Sequence, residues 1–186
     1  MKQEEMIAII NEGTALRGWI ANSFAQVEFL LGDLIVRCRE FPEYADFTQT
    51  ISHSAAKRIG KVRSMLNIGG RLAPYAEDLT AMLDTFEGNQ GIRNLLAHGF
   101  CTFLHTPHDD AGLYFQKFER GDGEAGQVTD VLDHKTFRLI DLRYHKAQMA
   151  KQTDDAIILF AKIHADFGWG DTDITMLIDV IEPNGA

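Results

Sequence analysis

The stretch "IANSFAQVEFLLGDLIVRC", residues 20–38, decides the fold class. Its apolar residues Ile20, Phe24, Val27, Leu31, Leu34 and Cys38 step by 4, 3, 4, 3 and 4 positions. That spacing lines one face of a helix and fits no strand. It predicts a first helix from about residue 3 to 39, bent near Gly13. The helix should stop before "FPEY", because Pro42 disfavours helical backbone at Phe41.

Working outward, Ser52 or Ser54 is placed to cap a second helix, which ends at "NIGGR" with Gly69 as its C-terminal cap. Pro74 suits the first turn of a third helix. There Tyr75, Leu79, Met82 and Phe86 repeat the helical step, and the pattern runs on into "EGNQGIRNLLAHG". Gly88 and Gly91 each weaken a helix by roughly 1 kcal/mol relative to Ala, so a kink or close backbone contact is expected there. Gly99 is the natural stop.

Beyond Gly99 the period changes. "FCTFLHT" and "LYFQKFE" are short and rich in β-branched and aromatic residues, and the turn formers "PHDDAG" separate them, so a β-hairpin is expected over about 100–119. "RGDGEAGQ" reads as a mobile loop. A fourth long helix should then run from His134 or Thr136 to Phe167, with Phe137, Ile140, Leu142, Ile157, Phe160 and Ile163 among its apolar positions. A short terminal helix capped by Asp171 or Thr172 completes the reading. The expected fold is all-α, an up-and-down bundle of four to five helices with a small hairpin inserted after the third.

With 186 residues, 45% of them apolar, the chain fits a single domain over 1–186 with a substantial core. The opening "MKQEEMIAII" carries acidic residues where a signal peptide needs an apolar core, and no uninterrupted apolar run reaches a membrane span. A soluble, cytoplasmic protein without membrane contact is the expectation. Cys38 and Cys101 lack the spacing of a metal or redox pair, and free thiols are expected.

The net charge of −9 argues against a surface that binds nucleic acid everywhere. Positive charge is nevertheless concentrated. Between Phe47 and Ala76 lie Lys57, Arg58, Lys61, Arg63 and Arg71, and none of the chain's 27 acidic residues. Lys57, Arg58, Lys61 and Arg63 are therefore the candidate RNA-binding residues, against the plainer reading of a solvated helix face.

At the end of the third helix stands "RNLLAHG", residues 93–99. Arg93, Asn94 and His98 are costly to bury unpaired, and they are the residue types that grip phosphate and move protons. Asn94 and His98 lie one turn apart on one face. Arg93 and His98 differ by about 140° and roughly 7.5 Å of rise, so one cleft holds all three only if the long Arg93 side chain sweeps round. The plainer reading is a helix end whose dipole favours His98.

This segment resembles the R-x4-6-H signature, with a polar residue after the Arg, of the HEPN superfamily (higher eukaryotes and prokaryotes nucleotide-binding domains). The order of helices around it resembles that superfamily's bundle as well. The resemblance implies an endoribonuclease that needs no metal or other cofactor and acts as a homodimer in a toxin or defence role, with two motifs in one composite cleft. It makes His98 the acid/base group, Arg93 the phosphate clamp and Asn94 a positioning residue. Chemistry independently asks for two histidines. Attack by a 2′-hydroxyl needs one group to take its proton and another to protonate the departing 5′ oxygen.

Two rivals stand beside this. One is a catalytically inactive HEPN-like module that dimerises and binds RNA, a nucleotide or a partner protein; the other is a regulatory protein of antitoxin type. The cluster His105, His108, Asp109 and Asp110 at the hairpin tip, near Cys101, matches no established metal spacing, and a solvated turn accounts for it. "GDGEAG" lacks the ligand spacing of a calcium loop. Glu28 is a further candidate, as the group that orients Arg93.

Overall fold

The structure is a computed structural model that describes residues 2–104, 111–122 and 128–170. These are mostly helical. Six α-helices occur among them: α1 (Gln3–Arg37), α2 (Ala45–Thr48), α3 (Ala55–Ile68), α4 (Ala76–Gly88), α5 (Gln90–His98) and α6 (Leu139–Phe167). A three-stranded antiparallel sheet, β1 (Phe100–Leu104), β2 (Gly112–Asp122) and β3 (Val128–Arg138), stands between α5 and α6. The chain divides into two compact units, residues 1–23 with 89–150 and residues 24–88 with 151–186, and α1 and α6 contribute to both.

The first unit is built on the sheet. Leu113 and Phe115 of β2 and Phe137 of β3 share its inner face and are buried, and the Phe115 and Phe137 rings meet edge to face at 5.8 Å. Gly13 of α1 comes so close to this face that a Cβ there would lie 2.5 Å from Leu113 Cδ1. The glycine read as a bend thus marks a close approach of helix to sheet within a continuous α1. Leu16, Ile20, Leu95, Leu96, Leu142 and Met149 fill the rest of this core.

In the second unit the predicted stripe is buried along its length, from Phe24 through Val27, Leu31 and Leu34 to Cys38. Each such side chain contributes about 1.5–3 kcal/mol by leaving water. Phe24 packs on Phe86 of α4 at 5.2 Å. Phe41 is extended (φ −100°, ψ 110°), as its following proline requires. Gly69 ends α3 with φ +82°, its N–H donating to the Leu66 carbonyl at 3.0 Å. The buried Tyr44 hydroxyl locks this turn by donating to the Gly69 carbonyl at 2.6 Å and accepting from the Leu72 N–H at 2.8 Å.

Several expectations need correction. The helices number six among the described residues rather than four or five, and the hairpin is two strands of a three-stranded sheet. Residues 128–138 form β3, where the sequence reading starts the fourth helix at His134 or Thr136 and gives 128–133 no element, and Phe137 is a sheet residue. Helix six starts at Leu139, and Ile140, counted among its apolar positions, is 59% exposed. Pro74 lies in a 3-10 turn, Gly70–Tyr75, before α4. The kink expected near Gly88 and Gly91 is a full interruption at Asn89. Ser54 precedes α3 but its side chain makes no capping bond. The segment Gln3–Glu40 is by length and composition apolar enough to cross a membrane; a buried core helix passes the same test. The terminal helix and the His105/His108/Asp109/Asp110 tip lie outside the described residues.

Candidate functional site

Helix α5 presents the motif. Its Leu95 and Leu96 are buried and anchor it, while His98, its last residue, is exposed. Gly99 then turns the chain into β1, donating its N–H to the Leu95 carbonyl at 2.8 Å. A Cβ at Gly99 would collide with that same carbonyl oxygen, so the helix can end in this way only at glycine.

The last carbonyls of a helix have no partner within it. Here Arg17 of α1 supplies one. Its Nε donates to the Leu96 carbonyl and its Nη2 to the Ala97 carbonyl, the latter at 3.3 Å, while its guanidinium lies 5.4 Å from the centre of the Phe115 ring. Sequence reasoning missed Arg17. The available signal was its place four residues after Gly13 and three before Ile20, on the side of α1 that faces the core. Arg17→Ala is expected to cost about 2 kcal/mol, in the range for hydrogen bonds from a charged group. Amide exchange should quicken first at His98 and Gly99; unchanged exchange there would show that the helix end holds without Arg17.

Arg93 Nη1 donates to Asn94 Oδ1 at 2.9 Å, and both side chains are half-buried. One turn earlier, Gln90 Nε2 is buried without a hydrogen-bond partner among the described residues. His98 lines a different place, an open groove of about 630 Å³ shared with Phe100, Gln116, Lys117, Phe118 and Leu132. That volume lies within the range of small-ligand sites. Arg93 and Asn94 do not line the groove. The structure joins Arg93 to Asn94 and leaves both out of the groove that His98 lines; the 140° helical offset accounts for Arg93, whereas Asn94 shares the helix face of His98.

The predicted RNA-binding residues Lys57, Arg58, Lys61 and Arg63 lie on α3, in the other unit. Arg58 donates to the Ser52 carbonyl at 2.6 Å and to the Glu28 carbonyl at 2.7 Å. Arg63 pairs with Asp84 at 2.6 Å and with Glu87. Lys61 Nζ donates to the Thr50 carbonyl and, at 3.3 Å, to Thr50 Oγ1. Lys57 is exposed. Three of the four cations thus bond within the protein. Glu28, proposed as the partner of Arg93, likewise belongs to the second unit.

The two thiols are free. Burial pushes Cys38 up to about 12 and raises Cys101 as well, which disfavours the thiolate form of both. Among the described residues no three His, Cys, Asp or Glu side chains converge as metal ligands do. No protein-family model matches this chain, and no curated protein or solved structure matches it.

Proposed function

We propose that this chain is an endoribonuclease of HEPN type, working as a homodimer whose two motif helices meet at one sugar-phosphate link. The observation that carries the reading is His98 itself. It is exposed and lines an open groove, on a helix end pinned by Arg17, while the Arg93–Asn94 pair lies one turn back and outside that groove. An imidazole placed only for packing gains nothing from that exposure.

In this reading one His98 takes the proton from a ribose 2′-hydroxyl, and the 2′ oxygen attacks the adjacent phosphorus. The bond from phosphorus to the 5′ oxygen breaks as the partner's His98 gives that oxygen a proton. The products are a 2′,3′-cyclic phosphate and a 5′-hydroxyl. Arg93 neutralises the phosphorane, and Asn94, bonded to it, sets its direction. A single protomer offers one such imidazole, so two copies are needed for the two proton transfers. The long helices would form the up-and-down bundle of that superfamily, with the sheet as an elaboration after the motif. A toxin or defence role in the cytoplasm, with a neutralising protein partner, accompanies the reading.

The test is incubation of the purified protein with mixed RNA in chelator. Cleavage with cyclic-phosphate ends is expected, and a 2′-deoxy substitution at the cut site should abolish it. No cleavage, or cleavage indifferent to the 2′ position, overturns the proposal. One observation favours the inactive binding module instead: Arg58 and Arg63 are bonded within the protein, which leaves fewer cations for RNA in a chain of net charge −9.

A further inference from the structure

We propose that the outer face of the sheet beside His98 is a stacking platform for the unpaired bases of single-stranded RNA, with Phe100 and Phe118 supplying the ring faces. The proposal rests on the nuclease reading for its substrate, and it names the form of RNA that site takes.

Strand alternation sorts the side chains. The register pairs Phe100 with Gln116, Gln116 with His134 and Phe118 with Leu132, so these residues share one face. Phe115 and Phe137, on the other face, are 0% and 1% exposed; Phe100 and Phe118 are 69% and 74% exposed. A soluble sheet ordinarily turns polar residues outward. Two phenylalanines held in water on the same face as the groove of His98 therefore call for an occupant.

Charge and chemistry choose that occupant. Acidic residues outnumber basic ones 27 to 18 in the chain, yet no carboxylate lines the groove of His98. Asp133 pairs with Lys117 in the register and so falls on the inner side. Lys117 belongs to the groove's lining but falls with Asp133 on the inner side, so His98 and Gln116 are its polar residues on this face, and His134 stands on the face 5.9 Å from the Tyr114 ring. Flat rings with an amide between them suit a base, whose π-face stacks and whose edge bonds to Gln116; an aliphatic partner needs neither. Bases inside a duplex are already stacked and cannot reach a sheet, which restricts the substrate to single strands.

The experiment measures binding of a labelled 12-nucleotide 2′-O-methyl RNA, which cannot be cut by 2′-hydroxyl attack, and of the same sequence as a blunt duplex. The wild-type protein should bind the single strand at least about tenfold more tightly. Phe100→Leu with Phe118→Leu keeps the face apolar but removes its rings, and should weaken single-strand binding at least about tenfold, with Phe100→Trp and Phe118→Trp restoring it. Unchanged binding by the Leu variant, or equal affinity for duplex, overturns the platform, and cleavage of ordinary RNA by the wild type then leaves the nuclease reading standing. Ring-dependent binding without any cleavage has the opposite meaning: the platform stands and the nuclease reading falls. Sedimentation of each variant adds a last outcome. If the Leu variant turns a wild-type dimer into a monomer and RNA affinity is unaffected, the face is an interface between copies and the proposal is wrong.

Discussion

Replacing His98 by Ala is expected to lower RNA cleavage by at least about a hundredfold and to leave the protein folded. A positioned acid or base contributes about 10²–10⁴-fold to a proton-transfer step, and in a two-fold site the substitution removes the base and the acid together. The fold has little stake in the side chain. His98 is exposed, its helix is anchored by Leu95 and Leu96, and the helix end is tied by Arg17 and by the Gly99 N–H. What is lost at the helix C-terminus is at most a dipole interaction of about 0.3–1 kcal/mol. Rate and melting temperature therefore separate two roles. A catalytic His98 gives a collapse in rate with a nearly unchanged melting temperature; a capping His98 gives the reverse. His98→Gln sharpens the comparison, since an amide keeps polarity at the helix end and cannot shuttle a proton.

What could be read in the sequence was whatever depends on near neighbours. The stripe from Ile20 to Cys38 needs only the helical period, and all of it is buried. Gly69 and Gly99 end helices because of backbone geometry at the residue itself, and both do so here. Features that depend on distant partners were misread. Strand β3 carries Asp133, His134 and Lys135 in a row, exposed, and Phe137 is its one described side chain buried on the inner face, so alternation gave no signal until β2 stood beside it. The basic run on α3 looked unpaired because no acid lies near it in sequence. The acids that neutralise Arg63 come from α4, 21 and 24 residues later. Arg17 reaches carbonyls 79 and 80 residues away. The motif itself was visible, but the separation of His98 from Arg93 and Asn94 depended on where the sheet placed its groove.

Replacing Asp33 by Ala is expected to cost about 3 kcal/mol of stability at neutral pH and to flatten the acid limb of the stability curve. Asp33 sits between an imidazole and a guanidinium of its own unit. Its Oδ2 is 3.0 Å from His164 Nε2 and accepts from Arg37 Nε at 2.9 Å. The aromatic wall is Trp169, whose ring meets His164 edge to face at 5.2 Å and lies 5.6 Å from the Arg37 guanidinium. Burial by itself lifts the Asp33 pKa, but the hydrogen bonds from His164 and Arg37 together outweigh it and hold the carboxyl below the ordinary range. A carboxylate with a lowered folded-state pKa stabilises the protein above its unfolded value, near 3.9, and that contribution disappears as pH falls through the folded-state value. Urea midpoints at pH 7 and pH 3 read both effects. The wild type should lose more stability than Asp33→Ala between the two pH values, because the variant has no carboxylate left to protonate. The Ala variant should be the weaker protein at pH 7, where the buried imidazole and the guanidinium have lost their shared acceptor. Asp33→Asn, which keeps an acceptor oxygen without the charge, should fall between the two. An equal loss in wild type and Ala variant would mean that acid unfolds this unit through other carboxylates.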